Sequence, residues 1–426
     1  MRDETIAIQG GYTADATRAV AVPIYQTIAH DFVDADHAGA VFDLEVPGFH
    51  YNRINNPTND VLEQRLAALE GGTASLTVAS GMAAVSYAVL NLARAGSNIV
   101  VAPQLYGATY TWFAHVLPTV GIDVRFASGD PVISMEPLID KHTAAIFFET
   151  VGNPAGNVAD IAALTALAHR YGVPVIADNT IPTPLMLKPI EHGVDVVVHS
   201  LTKFIGGHGT TLGGVIIDAG TFPWTEHADR FPMFTEPEPA FHGVVYARDF
   251  PDAPFVVRAR TVALRNTGAT LSPFNAFLLL QGLETLAIRL ERQEANALAV
   301  AEYLAADDRV EWVGYAGFPG HRSFDLAKQY LKGRVPPIVT FGPVGGYRAA
   351  LSFFDSVCLF KRLVNLGDAK SLVSHSASTT HRQLGPEELA AAEIAPELVR
   401  LSLGLEHIDD LLEDIDHALN TAARTS

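Results

Sequence analysis

The sequence contains one cysteine, Cys358, among 426 residues. A lone thiol excludes an intramolecular disulfide and a metal site built from cysteines alone. Long hydrophobic runs are missing too: no apolar stretch approaches the roughly 18 residues of a membrane-spanning helix. Positive charge is scarce. Against 47 Asp and Glu stand 29 Lys and Arg, a net charge of −18. No basic patch stands out against that balance, so neither a nucleic acid nor an anionic membrane is expected as a partner. The start, "MRDETIAIQGG", is acidic and lacks an apolar core, so no secretory signal is expected and the expected location is cytoplasmic. The histidines show no zinc-ligand spacing; most read as structural, and no metal is expected. There is no internal repeat and no low-complexity tract.

What is present is a chain long enough for two or three domains and a large core. Hydrophobic residues make up 48% and charged residues 18%, an apolar balance that fits burial against copies of itself. Residues 1–60 lack a clean period and hold Pro23, Pro47, Pro57 and the dense "FHYNRINNPTND". They read as an extended arm that packs on something else. Short apolar runs then alternate with helical segments: "SLTVAS", "NIVVAP", "IDVRFA", "AAIFFE", "VPVIAD", "VDVVVHS" and "GGVIID". Between them lie patterns such as "DIAALTALAHRYG", where Asp160 is a plausible N-cap and Gly172 a stop. This alternation predicts an α/β unit over 61–262, a mostly parallel sheet with helices on both faces. Within it, residues 219–260 are Pro-rich and aperiodic and read as a long loop. A long helix is expected from Ser272-Pro273 to about residue 305. The remainder, with strands "PIVTFG" and "LVRLSLGL", reads as a smaller α+β domain over 263–426.

Three predicted strand ends carry polar groups. "SLTVAS" runs into Ser80-Gly81-Met82, where helix N–H groups point at an anion. "VPVIAD" ends in Asp178. "VDVVVHS" ends in Ser200, with Thr202 and Lys203 just beyond. Ligands of such sheets bind beyond the carboxyl ends of the strands. An anion site, a lone acid and a lysine at one sheet edge match the needs of pyridoxal 5′-phosphate. Its phosphate takes N–H groups and hydroxyls, its ring nitrogen a carboxylate, and its aldehyde a lysine amine that loses its proton near neutral pH. The glycines after Lys203 are expected to leave room for cofactor and substrate. Each feature has an ordinary reading: a plain turn at Ser80, a helix cap or ion-pair partner at Asp178, a solvated amine at Lys203. Their joint order favours the cofactor. "GGHGTT" lacks the Gly-Lys-Ser/Thr ending of a nucleotide loop.

The sequence resembles the Cys/Met-metabolism family of pyridoxal-phosphate enzymes, nearest its O-acetylhomoserine sulfhydrylase branch. The resemblance rests on "HYNRINNPTND", "ASGMAA", "LYGATY", "ETVGNP", "ADNT", "HSLTKFIGGHGTTLGG", "FTEPEPAFHGVVY", "SPFNAFLLLQGLETL", "NLGDAKSLVSHSASTTH" and "LVRLSLGLEHIDDL", in that order. It implies the fold type I architecture and a homotetramer of dimers with shared active sites. It also implies that Lys203 holds the cofactor covalently through its amine and moves protons during catalysis. Ser80, Gly81, Met82, Ser200 and Thr202 are implied as phosphate ligands, joined from the neighbouring subunit by Tyr51 and Arg53. Tyr106 is implied to stack on the ring and assist proton movement, Asp178 to hold the ring nitrogen, and Asn153 to touch the ring hydroxyl or substrate. Arg400 is implied as the clamp on the substrate carboxylate. Its strand agrees, with Val399, Leu401 and Leu403 on one side and Arg400 and Ser402 on the other; the ordinary reading of Arg400 is the wet face of a half-buried sheet.

Two positions separate branches. Asn365 stands before "LG" where many γ-lyases and γ-synthases carry serine, and Ala108 follows "YG" where methionine γ-lyases carry cysteine. The expected reaction is therefore γ-replacement on O-acetylhomoserine by sulfide or a thiol, with Asn365 on the substrate side. The rivals are a γ-lyase or γ-synthase acting on methionine, cystathionine or O-succinylhomoserine, and, from another class, a non-catalytic binding protein. The paired prolines in "RVPPIVTFGPVGG" depart from the family pattern, which expects glycine or small residues there.

Overall fold

The computed structural model describes residues 1–379, 382, 385 and 395–424. All seven strands expected before residue 219 form: β1 Ala74–Val78, β2 Asn98–Val101, β3 Asp123–Phe126, β4 Thr143–Glu149, β5 Val175–Asp178, β6 Val196–Ser200 and β7 Gly214–Asp218. They make one sheet in the order β1-β7-β6-β5-β4-β2-β3. It is parallel from β6 to β3; β7 runs antiparallel to both β6 and β1. β1 and β6 therefore point the same way, and their carboxyl ends share an edge with that of β5.

Successive strand residues alternate between two cores, as the two-residue period of a strand requires. Ile146, Phe148, Val175, Ala177 and Val197 face one core with the helices Pro57–Glu70 and Ile161–Arg170. Ala145, Phe147, Ile176, Val196 and Val198 face the other with the Gly81–Leu90 helix. A sheet buried on both faces explains why its strands read as continuous apolar runs. Asp160 caps the Ile161–Arg170 helix by accepting from the Ala163 amide, and Gly172 follows it at φ +60°.

Two expectations need correction. The helix after Ser272 is interrupted: it runs Pro273–Glu284, breaks at Thr285, and resumes as Leu286–Ala305. Gly282 lies directly against the Gly206 backbone, and Arg289 folds back to donate to the carbonyls of Gly282, Phe204 and Ile205. Tertiary contact sets the break, which helical periodicity does not reveal. Residues 219–260 are likewise no loose loop. They form short helical turns whose Phe222, Trp224, Phe231, Phe234, Tyr246 and Phe255 are buried together. Asp218 tethers the segment by accepting from the amides of Gly220, Phe255 and Val256. Aromatic packing replaces periodicity here.

The second sheet follows the order β10-β11-β12-β9-β8: β8 Val310–Gly314, β9 Ile338–Pro343, β10 Lys361–Arg362, β11 Leu372–His375 and β12 Val399–Ser402. The helices Gly346–Ser356 and Ile408–Ala423 pack against it around Phe341, Phe353, Val399 and Leu401. The paired prolines precede β9, where Pro337 lends its carbonyl to the Leu403 amide. Residues before 57 carry the helices Asp3–Gln9 and Ala35–Phe42 and leave Val20 95% and Val33 82% exposed. Among the described residues no helix is long and apolar enough to cross a membrane.

Trp224, with Phe234 4.2 Å away between ring centroids, anchors the 219–260 segment. Trp224→Ala should destabilise the protein by about 3–5 kcal/mol, measured as a fall in the denaturant midpoint. A midpoint unchanged within error would show that this aromatic cluster does not hold the segment.

Candidate active site

Beyond the ends of β1, β5 and β6, closed on the other side by the second sheet, lies a cavity of about 210 Å³. Ser80, Gly81, Met82, Tyr106, Asn153, Asp178, Ser200, Thr202, Lys203, Asn365 and Arg400 all line it. Eleven residues spread over more than 300 positions of sequence thus meet at one place. Tyr51 and Arg53 do not join them: both are exposed on the arm, with the Arg53 guanidinium 4.8 Å from the Tyr51 ring centre.

The anion site comes from the Gly81–Leu90 helix. Ser80 caps it, its hydroxyl accepting from the Ala83 amide at 3.1 Å. The amides of Gly81 and Met82, in the first turn, have no intrahelical acceptor. A side chain at Gly81 would stand 2.6 Å from the Ser200 Cβ, so glycine lets the helix mouth press against the end of β6. Phosphate at such a mouth gains both N–H donors and the helix dipole.

Asp178 closes β5, and Thr180 donates to its Oδ1 through both amide (2.9 Å) and hydroxyl (2.5 Å). Burial pushes this carboxyl above its usual range, against the Thr180 donors and the Lys203 charge. A protonated ring nitrogen held there would supply the compensating charge.

Lys203 sits one turn past β6, half-buried, its Nζ donating to Asn365 Oδ1 at 2.6 Å. Burial, with the Arg400 charge beside it, brings the amine down to about 8 against the opposing pull of Asp178. Arg400, on β12 between Thr340 and Ser374, donates from Nη1 to Asn153 Oδ1 (2.6 Å) and from Nη2 to the Asn365 carbonyl (2.9 Å). It is 7% exposed, so the wet-face reading of that position fails. Among the described residues no carboxylate pairs with it, and burial lowers its guanidinium to about 10. A desolvated cation without a counter-ion is a place for a substrate anion.

The glycines after Lys203 have a different role from the one expected. None of Gly206, Gly207, Gly209, Gly213 or Gly214 lines the cavity. Side chains there would overlap Arg289 (at Gly207), the Asp368 carboxylate (at Gly209) and the Ser80 carbonyl (at Gly214). They let protein, rather than ligand, come close. Among the lining residues that went unsingled in the sequence are Glu149, Thr180 and Ser374. Glu149 ends the apolar run "AAIFFE" just as Asp178 ends "VPVIAD", so the same signal was available. Thr180 lies two residues beyond Asp178. Ser374, whose hydroxyl is buried without a partner, sits on β11, a strand the sequence did not announce.

The site residues therefore fit pyridoxal phosphate: free helix amides, a buried carboxyl, a lysine of lowered basicity and an unpaired guanidinium in one cavity. Fold and site together define a fold type I pyridoxal-phosphate enzyme. The chain belongs to the Cys/Met metabolism PLP-dependent enzyme family, which matches residues 4–420. It is 45% identical to a homocysteine synthase of Schizosaccharomyces pombe, over 98% of both chains. It is 46% identical to an O-acetyl-L-homoserine sulfhydrylase of Leptospira meyeri, over 98% of this chain and 96% of that one. A Campylobacter jejuni crystal structure assigned as an O-acetylhomoserine (thiol)-lyase, which carries a pyridoxyl-lysine phosphate, superposes with a TM-score of 0.96. Its identity is 42%, over 99% of this chain and 100% of that one.

In cofactor-free protein, modification of Lys203 by an amine-selective reagent should speed up as pH rises through about 8, where the neutral amine becomes the main form. Peptide mass spectrometry at a series of pH values gives the inflection. One at the ordinary lysine range, above 10, would contradict the desolvation argument.

Proposed function

We propose that the protein is an O-acetylhomoserine sulfhydrylase, replacing the acetoxy group at Cγ of its substrate by sulfide or a small thiol. With sulfide the products are homocysteine and acetate. One observation carries the reading: an amine brought down to about 8 lies between a helix-mouth anion site and an unpaired guanidinium. The names of the relatives favour sulfhydrylation within the family.

Ser80, Gly81, Met82, Ser200 and Thr202 hold the cofactor phosphate, Asp178 the ring nitrogen, and Tyr106 one ring face. Bound there through Lys203, pyridoxal phosphate supplies an electron sink for charge developing at the substrate Cα. With substrate bound, the Lys203 amine, brought down to about 8, would be neutral enough to remove the Cα proton and return it later. Asn365 keeps that amine aimed, through the 2.6 Å contact it already makes. Arg400 exchanges its Asn153 bond for the substrate carboxylate, and Asn153 turns to the ring hydroxyl. Val85, Leu212 and Val364 give the cavity apolar wall that keeps water from the reacting carbons. A second proton leaves Cβ, the electron pair of that C–H bond forms a Cβ–Cγ double bond as acetate departs with the Cγ–O pair, and sulfide then forms the C–S bond at Cγ while a proton returns to Cβ.

Purified holoenzyme given O-acetylhomoserine and sulfide should release homocysteine and acetate in equal amounts. Lys203→Ala should lose turnover by at least about 10³-fold, as expected when a covalent anchor and base vanish together. Formation of 2-oxobutyrate from methionine alone, without sulfhydrylation, would move the protein to the γ-lyases.

A second copy of the chain completes the site. Tyr51 and Arg53 stand outside their own cavity on an arm with exposed Val20, Ile28 and Val33, a composition suited to burial against a neighbour. From there the Arg53 fork reaches the neighbour's cofactor phosphate, in dimers that pair into a homotetramer. Refolding Arg53→Ala together with Lys203→Ala, each nearly inactive alone, should restore part of the activity, because a mixed dimer holds one site with both residues intact. No recovery in chromatographically verified mixed dimers would rule out sharing.

A further inference from the structure

Glu149 has no place in the chemistry above, yet it lines the cavity and is 8% exposed. It ends β4 as Asp178 ends β5, and the two are direct neighbours in the parallel register, so both carboxyls face the same edge. Among the described residues no cation pairs with it. Burial and the adjacent Asp178 push its carboxyl well above the usual range. A buried acid beside another acid, lacking a counter-ion, is a costly choice where a neutral side chain would satisfy a turn. What Glu149 does hold is specific. Its Oε1 accepts the Tyr106 amide at 2.5 Å, and the Asn153 backbone amide stands close enough to favour its charged form. These two residues lie in separate connections, after β2 and after β4. One carries the ring that faces the cavity; the other carries the amide oxygen bonded to Arg400 at 2.6 Å.

We propose that Glu149 is the positioning residue of this site: one buried carboxyl pins the Tyr106 and Asn153 loops to the sheet edge. It thereby sets the phenol against the cofactor and the Arg400 fork against the substrate carboxylate. The inference rests on the cofactor and substrate reading given above. A carboxyl offers these amides acceptor oxygens alone when charged, whereas a glutamine amide offers one oxygen and one competing donor.

The test uses Glu149→Gln and Glu149→Ala holoenzymes, with cofactor content and thermal midpoint checked first. Both variants should change the visible circular dichroism of the bound cofactor, because the stacked ring loses its fixed angle. Both should raise the KM for O-acetylhomoserine, about fivefold or more for Gln and further for Ala, with a smaller loss in kcat. A purely structural acid would lower the midpoint and leave dichroism and KM alone. If Glu149→Ala does not fold, Glu149→Gln, of nearly equal volume, decides by itself. A folded, cofactor-loaded Gln variant with unchanged dichroism and KM within twofold of the parent overturns the proposal. A parent enzyme that shows no cofactor band, or no sulfhydrylation, instead overturns the underlying reading and leaves the variants' relative stabilities untouched.

Discussion

The site depends on how closely the backbone of residues 206–214 is approached by the rest of the protein. Arg289 fills the space beside Gly207, Asp368 that beside Gly209, and the Ser80 carbonyl that beside Gly214. Each is a contact that a single methyl group would block. Together they fix the turn bearing Lys203 against the Gly81–Leu90 helix on one side and the second sheet on the other. Without that clamp the amine would lie in water and keep ordinary lysine basicity. Tight packing around the turn thus buries the amine, and burial is the first cause of its depressed basicity.

The charges around the cavity follow one pattern. Each is desolvated and left short of a partner: Asp178 with only threonine donors, Arg400 with only amide acceptors, Lys203 with an amide oxygen. A protein optimised for stability alone would pair the acid with the bases or replace them all. Here asparagines take the hydrogen bonds of both cations in place of carboxylates. Asn153 and Asn365 satisfy hydrogen-bonding capacity without neutralising charge, so the cations stay available to anionic partners. That separation gives the asparagine at position 365 a physical reason that a branch comparison alone lacks.

Legibility in the sequence followed the locality of the cause. The seven strands of the first sheet were visible because a doubly covered strand is a short apolar run between polar ends, and Asp178 and Lys203 stood out as the polar exceptions. Ser80, Gly81 and Met82 were readable as a helix mouth. Arg400 was readable only as an alternation; its burial depends on Thr340 and Ser374 across neighbouring strands. Asn153 and Asn365, in irregular backbone, carried no local signal and came from resemblance. The break at Thr285 and the packed 219–260 segment were hidden because partners distant in sequence, Gly206 in one case and an aromatic cluster in the other, determine them. The glycine-rich turn was seen but misjudged: sequence reveals that room is needed and not what occupies it.

The hydrogen bond from Lys203 to Asn365 joins the first sheet to the second across the cleft. The Lys203 amine is therefore held dry by the meeting of the two halves. Were they to part, water would reach the nitrogen and its affinity for protons would climb. An ill-fitting cleft would thus, by hydration alone, return the amine to the ordinary lysine range.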